Sequence, residues 1–347
     1  MKFLVGEKAD FIDFLNSIGK RDRIAILSHN DLDGIGSSIL IGEILKSRGL
    51  ERNVKSRRFL ELKQNLFSDT YPQLEKEKIS TLFISDLNAE TADAVGFEKL
   101  RKEFRTFLID HHPLGKLENL GNVIKAETTQ CAAYVCYELG KEAIDAKKWK
   151  WLACASLVSD VCYRNPEILA FIQEAYPEVT EENIHESEIG KISSLATSSL
   201  IYFADNPEMV YELIKKQKLK ELEKYDIIVR EEMAKWMKKY KEEAEYFPER
   251  NLFFYYYTPK FNITSVVTNL LSSEQRDATF ISVSDIKDSE MVKVSARNSN
   301  SGENMIELLK KGMRGLDNAI SGGHVPAAGG SFMKKDIDEF ERNILKQ

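Results

Sequence analysis

The chain has 347 residues, of which 43% are hydrophobic and 30% charged, with a formal net charge of -6. That length suits two compact domains better than one, and the negative balance argues against a general electrostatic grip on long duplex DNA. Its apolar runs are too short to span a bilayer, and the Met1–Glu7 start does not read as a signal peptide, so a soluble, cytoplasmic protein with no membrane partner is expected. Four cysteines, Cys131, Cys136, Cys154 and Cys162, form no C-x-x-C pair and lie in apolar segments, which predicts buried thiols.

Ile24–Leu27, Leu82–Ile84 and Phe107–Ile109 are continuous apolar runs, each followed within a few residues by aspartate. Such runs read as strands buried on both faces. Helix-like stretches at 35–46 and 89–103 separate them, so the pattern predicts an open α/β domain with a parallel sheet. Ligands in such sheets bind at the carboxyl ends of the strands, where Asp31, Asp33, Asp86 and Asp110 are expected. Between the first two strands, Arg48, Arg52, Lys55, Arg57, Arg58 and Lys63 offer either a basic rim or a solvated edge strand and loop, with the second reading favoured. Cys131–Leu139 and Trp149–Val161 read as helices covering the sheet, the second carrying Asp160 near its end.

From about 205 the composition shifts. Residues 215–245 are rich in Lys and Glu with scattered apolar positions, which predicts a long, mostly exposed connecting helix. The expected division is therefore an N-terminal α/β domain over 1–204, a helical linker over 205–248 and a smaller α/β domain over 249–347. In the last part, 251–257, Phe280–Val283 and Met291–Ala296 are strand-like, residues 303–314 form a helix, and the glycine-dense stretch 321–330 reads as a turn.

Taken singly, an aspartate after a strand is a turn former or a helix cap. Taken together, Ser28-His29-Asn30-Asp31-Leu32-Asp33-Gly34, Ser85-Asp86, Asp110-His111-His112 and Ser159-Asp160 place three of the five histidines and four or five aspartates at one expected rim. Carboxylates gathered without cations raise one another's pKa and oppose folding. Mixed oxygen and imidazole donors suit manganese, cobalt, iron or zinc better than calcium. Two Mn2+ ions are expected, with Mg2+ or Co2+ as substitutes.

The order Asp31-Leu32-Asp33-Gly34, Asp86, Asp110-His111-His112, Asp160 resembles the four motifs of the DHH phosphoesterase superfamily. Gly322-Gly323-His324 followed by Ala327-Ala328-Gly329 resembles the glycine-histidine motif of its associated C-terminal domain. The superfamily includes RecJ exonucleases, nanoRNase/pAp-phosphatase proteins, cyclic-dinucleotide phosphodiesterases and family II pyrophosphatases. The resemblance implies that Asp33, Asp86, His111 and Asp160 hold one metal, and Asp31 and Asp86 the other. His29, two residues before Asp31 as in the RecJ-like pattern, is a further candidate ligand. Asp86, Asp110 and His112 are the implied catalytic residues: Asp86 bridges the ions, Asp110 orients its neighbours and His112 reaches a substrate phosphate. Arg297, Gly322, Gly323 and His324 are the implied substrate-binding residues.

The implied activity is hydrolysis of single-stranded or short oligonucleotides. Cyclic dinucleotides or pAp are the alternative substrates, and a metal-free scaffold in a replication complex is a third reading. A homodimer and replication or repair proteins are the expected partners.

Overall fold

A computed structural model describes residues 1–61, 65–115, 121–300 and 302–345, so Lys63 of the basic run lies outside the described residues. The first compact unit, Met1–Asp226, is built on a six-stranded sheet. Its strands are β1 (Phe3–Val5), β2 (Ile24–His29), β3 (Val54–Leu60), β4 (Thr81–Ser85), β5 (Arg105–Asp110) and β6 (Val123–Ala126), in the order β1-β6-β5-β4-β2-β3. All neighbours are parallel except β1, which pairs antiparallel with β6 at one edge.

The central strands β2, β4 and β5 are mainly apolar because both faces of the sheet are covered. Ile24, Ile26, Phe83, Phe107, Ile109 and Ile124 pack into one core with the helices Lys8–Asn16, Leu32–Ser47, Ala132–Gly140 and Ala146–Ser159. Alternate residues, Ala25, Leu27, Leu82, Ile84, Leu108 and Val123, pack into a second core with the helices Leu66–Lys76 and Ala94–Glu103. The four cysteines are free and buried.

Several sequence expectations need correction. The helix expected over 89–103 is two, Ala89–Ala92 and Ala94–Glu103, because Asp93 leaves helical geometry, caps the second at Gly96 and also accepts from the Phe67 and Ser68 N–H groups. The single helix expected over 215–245 is also divided. A helix at Pro207–Lys215, a 3-10 turn at Leu219–Leu222 and a helix at Glu223–Glu243 replace it. The basic run follows the favoured reading instead: Lys55, Arg57 and Arg58 lie on edge strand β3, where Arg58 pairs with Glu77 at 2.7 Å and Arg57 lies over the Tyr211 ring.

The second unit, Ile227–Gln347, has its own six-stranded sheet. Its strands are β7 (Glu245–Phe247), β8 (Leu252–Tyr257), β9 (Thr279–Asp285), β10 (Met291–Arg297), β11 (Ile320–His324) and β12 (Ala327–Met333), in the order β11-β12-β10-β9-β8-β7. Only β8 and β9 run parallel among the described pairs. The glycine-dense stretch read as a turn is a β-hairpin, with Gly322 opposite Gly329 and only Val325 and Pro326 between its strands. Backbone pairing with β10 makes it a sheet, and Val292, Val294 and Ala296 on β10 supply the buried side chains that the glycines lack. No helix among the described residues is long and apolar enough to cross a membrane.

Candidate metal centre

The parallel topology carries the ends of β2, β4 and β5 to one edge of the first sheet. His29 closes β2 and Asp31 caps the following helix, its Oδ1 accepting from the Gly34 N–H at 2.9 Å. The capping role and the site role are compatible, because Asp31 Oδ2 faces His29 Nδ1 at 2.7 Å. Gly34 is required at this turn: a Cβ there would meet the His29 carbonyl oxygen at 2.1 Å. Asp33 is fully buried, and its two oxygens accept from the Ala132 and Ala133 N–H groups, each at 2.7 Å. The N-terminus of the helix Ala132–Gly140 thus orients this carboxylate, a role that residue spacing does not reveal.

Asp86 follows β4 in the left-handed region at φ 58°, tolerated by aspartate better than by most residues. His111 and His112 follow Asp110 at the end of β5. His111 Nδ1 lies 3.3 Å from the Thr128 carbonyl, which can only accept, so the ring proton is held there and Nε2 is left to the acids. That Nε2 is 3.3 Å from Asp86, 3.4 Å from Asp160 and 3.8 Å from Asp33. Asp160 directly follows the helix Ala146–Ser159, and Val161 after it turns the chain through a left-handed conformation (φ 57°) that β-branched residues rarely adopt. Asp110 is fully buried and accepts from His112 Nδ1 at 2.8 Å.

Three groups have ligand atoms all within 4.8 Å of one another: His29, Asp31 and Asp86; Asp33, His111 and Asp160; and Asp86, His111 and His112. Asp86 belongs to two of them. Its Oδ2 is buried without a hydrogen-bond donor, an arrangement that a divalent cation satisfies and that water-free burial penalises. The donor set and this orphaned oxygen both fit a divalent-cation centre.

The acids strain one another electrostatically. Burial first and the Asp86 carboxylate second push Asp33 up to about 7. Burial, then Asp33, Asp31 and Asp86, push Asp160 well above the usual carboxylate range. Burial opposes charge on His29, but Asp31 and then Asp86 outweigh it and raise the imidazole to about 11. Asp31 goes the other way: burial opposes its ionisation, and His29 overcomes this to hold it at about 2. For Asp110, too, burial is outweighed, here by His112 and Lys125, which keep the carboxyl well below its ordinary range.

The other predicted residues lie in the second unit, on neighbouring strands. Arg297 and His324 both register with Ala327 of β12, from opposite sides. Arg297 is largely buried, and its Nη1 donates to the Ala296 and Ala328 carbonyls at 2.9 and 3.0 Å. Gly323 has φ 138°, and a Cβ there would meet the Ala327 carbonyl oxygen at 2.5 Å, whereas a Cβ on Gly322 would meet nothing within 4 Å.

The fold and this cluster define a doubly covered α/β protein with an Asp/His divalent-cation centre at its strand ends. Residues 23–162 match the family model of the DHH family N-terminal domain, and residues 253–347 match the DHHA1 domain. The chain belongs to the DHH phosphoesterase superfamily. No curated protein matches it by sequence.

Among solved structures it resembles exonuclease RecJ bound to manganese, with TM-score 0.73 and 14% identity over 99% of this chain and 94% of that one. RecJ from Thermus thermophilus in complex with Mn2+ gives TM-score 0.68 at 17% identity; 97% of this chain aligns, but it spans only 53% of that one. The same Thermus protein is also known with Mg2+. A pGpG-specific phosphodiesterase from Vibrio cholerae gives TM-score 0.51 at 14% identity, over 92% of this chain and 97% of that one.

Proposed function

We propose that this protein is a manganese-dependent phosphodiesterase that hydrolyses single-stranded or short oligonucleotides. The observation that carries the reading is the convergence of Asp31, Asp33, Asp86, His111 and Asp160 from four separate stretches of chain, together with a buried Asp86 oxygen that no hydrogen-bond donor satisfies.

In this reading Asp33, Asp86, His111 and Asp160 hold one cation, and His29, Asp31 and Asp86 hold the other. When bound, the two cations supply positive charge that polarises a phosphodiester and acidifies a water. The chain's own groups do the rest. The Ala132 and Ala133 N–H groups fix Asp33, and the Thr128 carbonyl fixes the His111 tautomer. Asp110 holds His112 by Nδ1, so that the ring, when it carries both protons, can donate from Nε2 to a phosphate oxygen whose charge grows in the transition state. Arg297 and His324, with the exposed backbone at Gly322 and Gly323, bind the remainder of the nucleotide.

A second reading is supported by the likeness to the pGpG-specific enzyme, whose chain is matched over nearly its whole length: a phosphodiesterase for dinucleotides, cyclic dinucleotides or pAp. A metal-free scaffold is disfavoured, because five carboxylates held this close without cations are costly.

The test is to assay the full chain with Mn2+ on labelled single strands of graded length, from dinucleotides upward, beside cyclic di-AMP and pAp. Cleavage that persists on long strands supports the exonuclease, and cleavage confined to dinucleotides, cyclic di-AMP or pAp supports the second reading. Asp86→Ala is expected to abolish turnover of whichever substrate is cut. Near-normal activity in that variant would remove the two-cation mechanism.

A further inference from the structure

Behind the metal centre lies a buried cation that the site as described does not use. Strand β6 is Val-Ile-Lys-Ala, and all four residues are buried, including Lys125, which is fully inaccessible. In the parallel register Lys125 stands directly opposite Asp110 on β5. Its Nζ donates to Asp110 Oδ2 at 2.5 Å and pairs with Glu90 Oε1, a second fully buried carboxylate. Asp110 Oδ1 in turn accepts from His112 Nδ1.

An ammonium removed from water is costly unless its partners are well placed, and an apolar side chain would fill the end of a four-residue strand more cheaply. The chain instead connects Lys125, Asp110 and His112 in series. The two oxygens of Asp110 are divided between them, one to each.

We propose that Lys125 is a positioning residue for His112. By pinning Asp110 Oδ2, it fixes the carboxylate plane and hence the bond from Asp110 Oδ1 to His112 Nδ1, which presents Nε2 to the reacting phosphate. This inference rests on the phosphodiesterase reading for its kinetic consequence but not for its geometry.

The test uses the full chain and has two parts. In metal-free protein with nitrogen-labelled histidine, His112 Nδ1 is expected to be protonated, whether or not Nε2 also carries a proton. In Lys125→Met the Nδ1 proton is no longer held in place, and the Nδ1 signal shows partial protonation. His112 protonated on Nε2 alone in the wild type, or an identical His112 pattern in Lys125→Met, would overturn the proposal. The wild-type spectrum decides even if the variant fails to fold.

In Mn2+-loaded enzyme, Lys125→Met is expected to lower kcat by about 10- to 100-fold, the usual range for residues that orient a site group, with KM and Mn2+ affinity nearly unchanged. Introduced into His112→Ala, it should cause no further loss, because it acts through that ring. Losses that multiply would assign Lys125 a general structural role and overturn the proposal. Glu90→Gln, which keeps the Lys125–Asp110 contact, is expected to stay near wild-type activity; a loss matching Lys125→Met would show that the charge balance of the buried trio, not the link to His112, is what matters. If the wild type hydrolyses none of the substrates, the phosphodiesterase reading fails, and the nitrogen spectra still decide the role of Lys125.

Discussion

The strand-end cluster of the first unit and the glycine-rich hairpin of the second are fitted to their proposed roles by opposite routes. In the first, side chains do the work: Asp33, Asp86, Asp110, His111 and Asp160 are each oriented by a backbone group, a turn or a neighbouring side chain. In the second, the absence of side chains does it. Gly322 and Gly323 leave the β11 backbone exposed, flanked by His324 and, across β12, by Arg297. The contrast teaches that a gathered set of acids pays an electrostatic cost that ions must relieve, whereas a bare strand pays a conformational one that neighbouring strands must absorb.

The largest effect that would break this comparison is on His112. His112→Ala is expected to lower kcat by about 100-fold while leaving Mn2+ affinity close to wild type, the range seen when one preorganised donor is lost. Steady-state kinetics with metal titration check it, and an unchanged kcat would show that the ring does not act on the phosphate. Next comes Gly323. Its φ of 138° and the 2.5 Å approach to the Ala327 carbonyl mean that Gly323→Ala should cost about 1–3 kcal/mol in denaturant unfolding. A neutral outcome would mean that the hairpin relaxes freely.

A smaller effect concerns pH. Asp33, raised to about 7, keeps a proton in the metal-free fold that the unfolded chain has already released, so its contribution to stability falls as pH rises toward that value. A cation displaces the proton and removes the penalty. The rise in melting temperature on adding Mn2+ should therefore be small near about pH 5 and larger near about pH 8. A flat or reversed difference would contradict the reading of Asp33 as a ligand. The smallest effect is expected at Gly322, where a Cβ meets open space: Gly322→Ala should change stability by no more than about 0.5 kcal/mol. Lost substrate affinity in that folded variant would locate binding on the exposed strand.

What the sequence disclosed follows the same division. Strands β2, β4 and β5 were legible because burial on both faces demands continuous apolar residues, and their shared direction placed the aspartates together in advance. Strand β3 was legible only as an edge strand or loop, because its Lys55, Ser56, Arg57 and Arg58 carry charge that a central strand would bury and its bounds depend on where the sheet ends. Strand β6 hid for another reason: Lys125 interrupts its apolar run, and only the register with β5 reveals that the lysine is buried against Asp110. The hairpin β11–β12 read as a turn since glycine and serine carry no strand signal of their own. The break at Asp93 was invisible because two of the N–H groups it accepts from, at Phe67 and Ser68, lie far away in the chain.

Electron paramagnetic resonance of the Mn2+-loaded full chain, wild type beside Asp86→Asn, tests the central claim most directly. Two ions sharing Asp86 should give the spectrum of a magnetically coupled pair, and the variant should lose it. Isolated Mn2+ signals in the wild type, or a coupled pair that survives in Asp86→Asn, would contradict a two-cation centre built around that carboxylate.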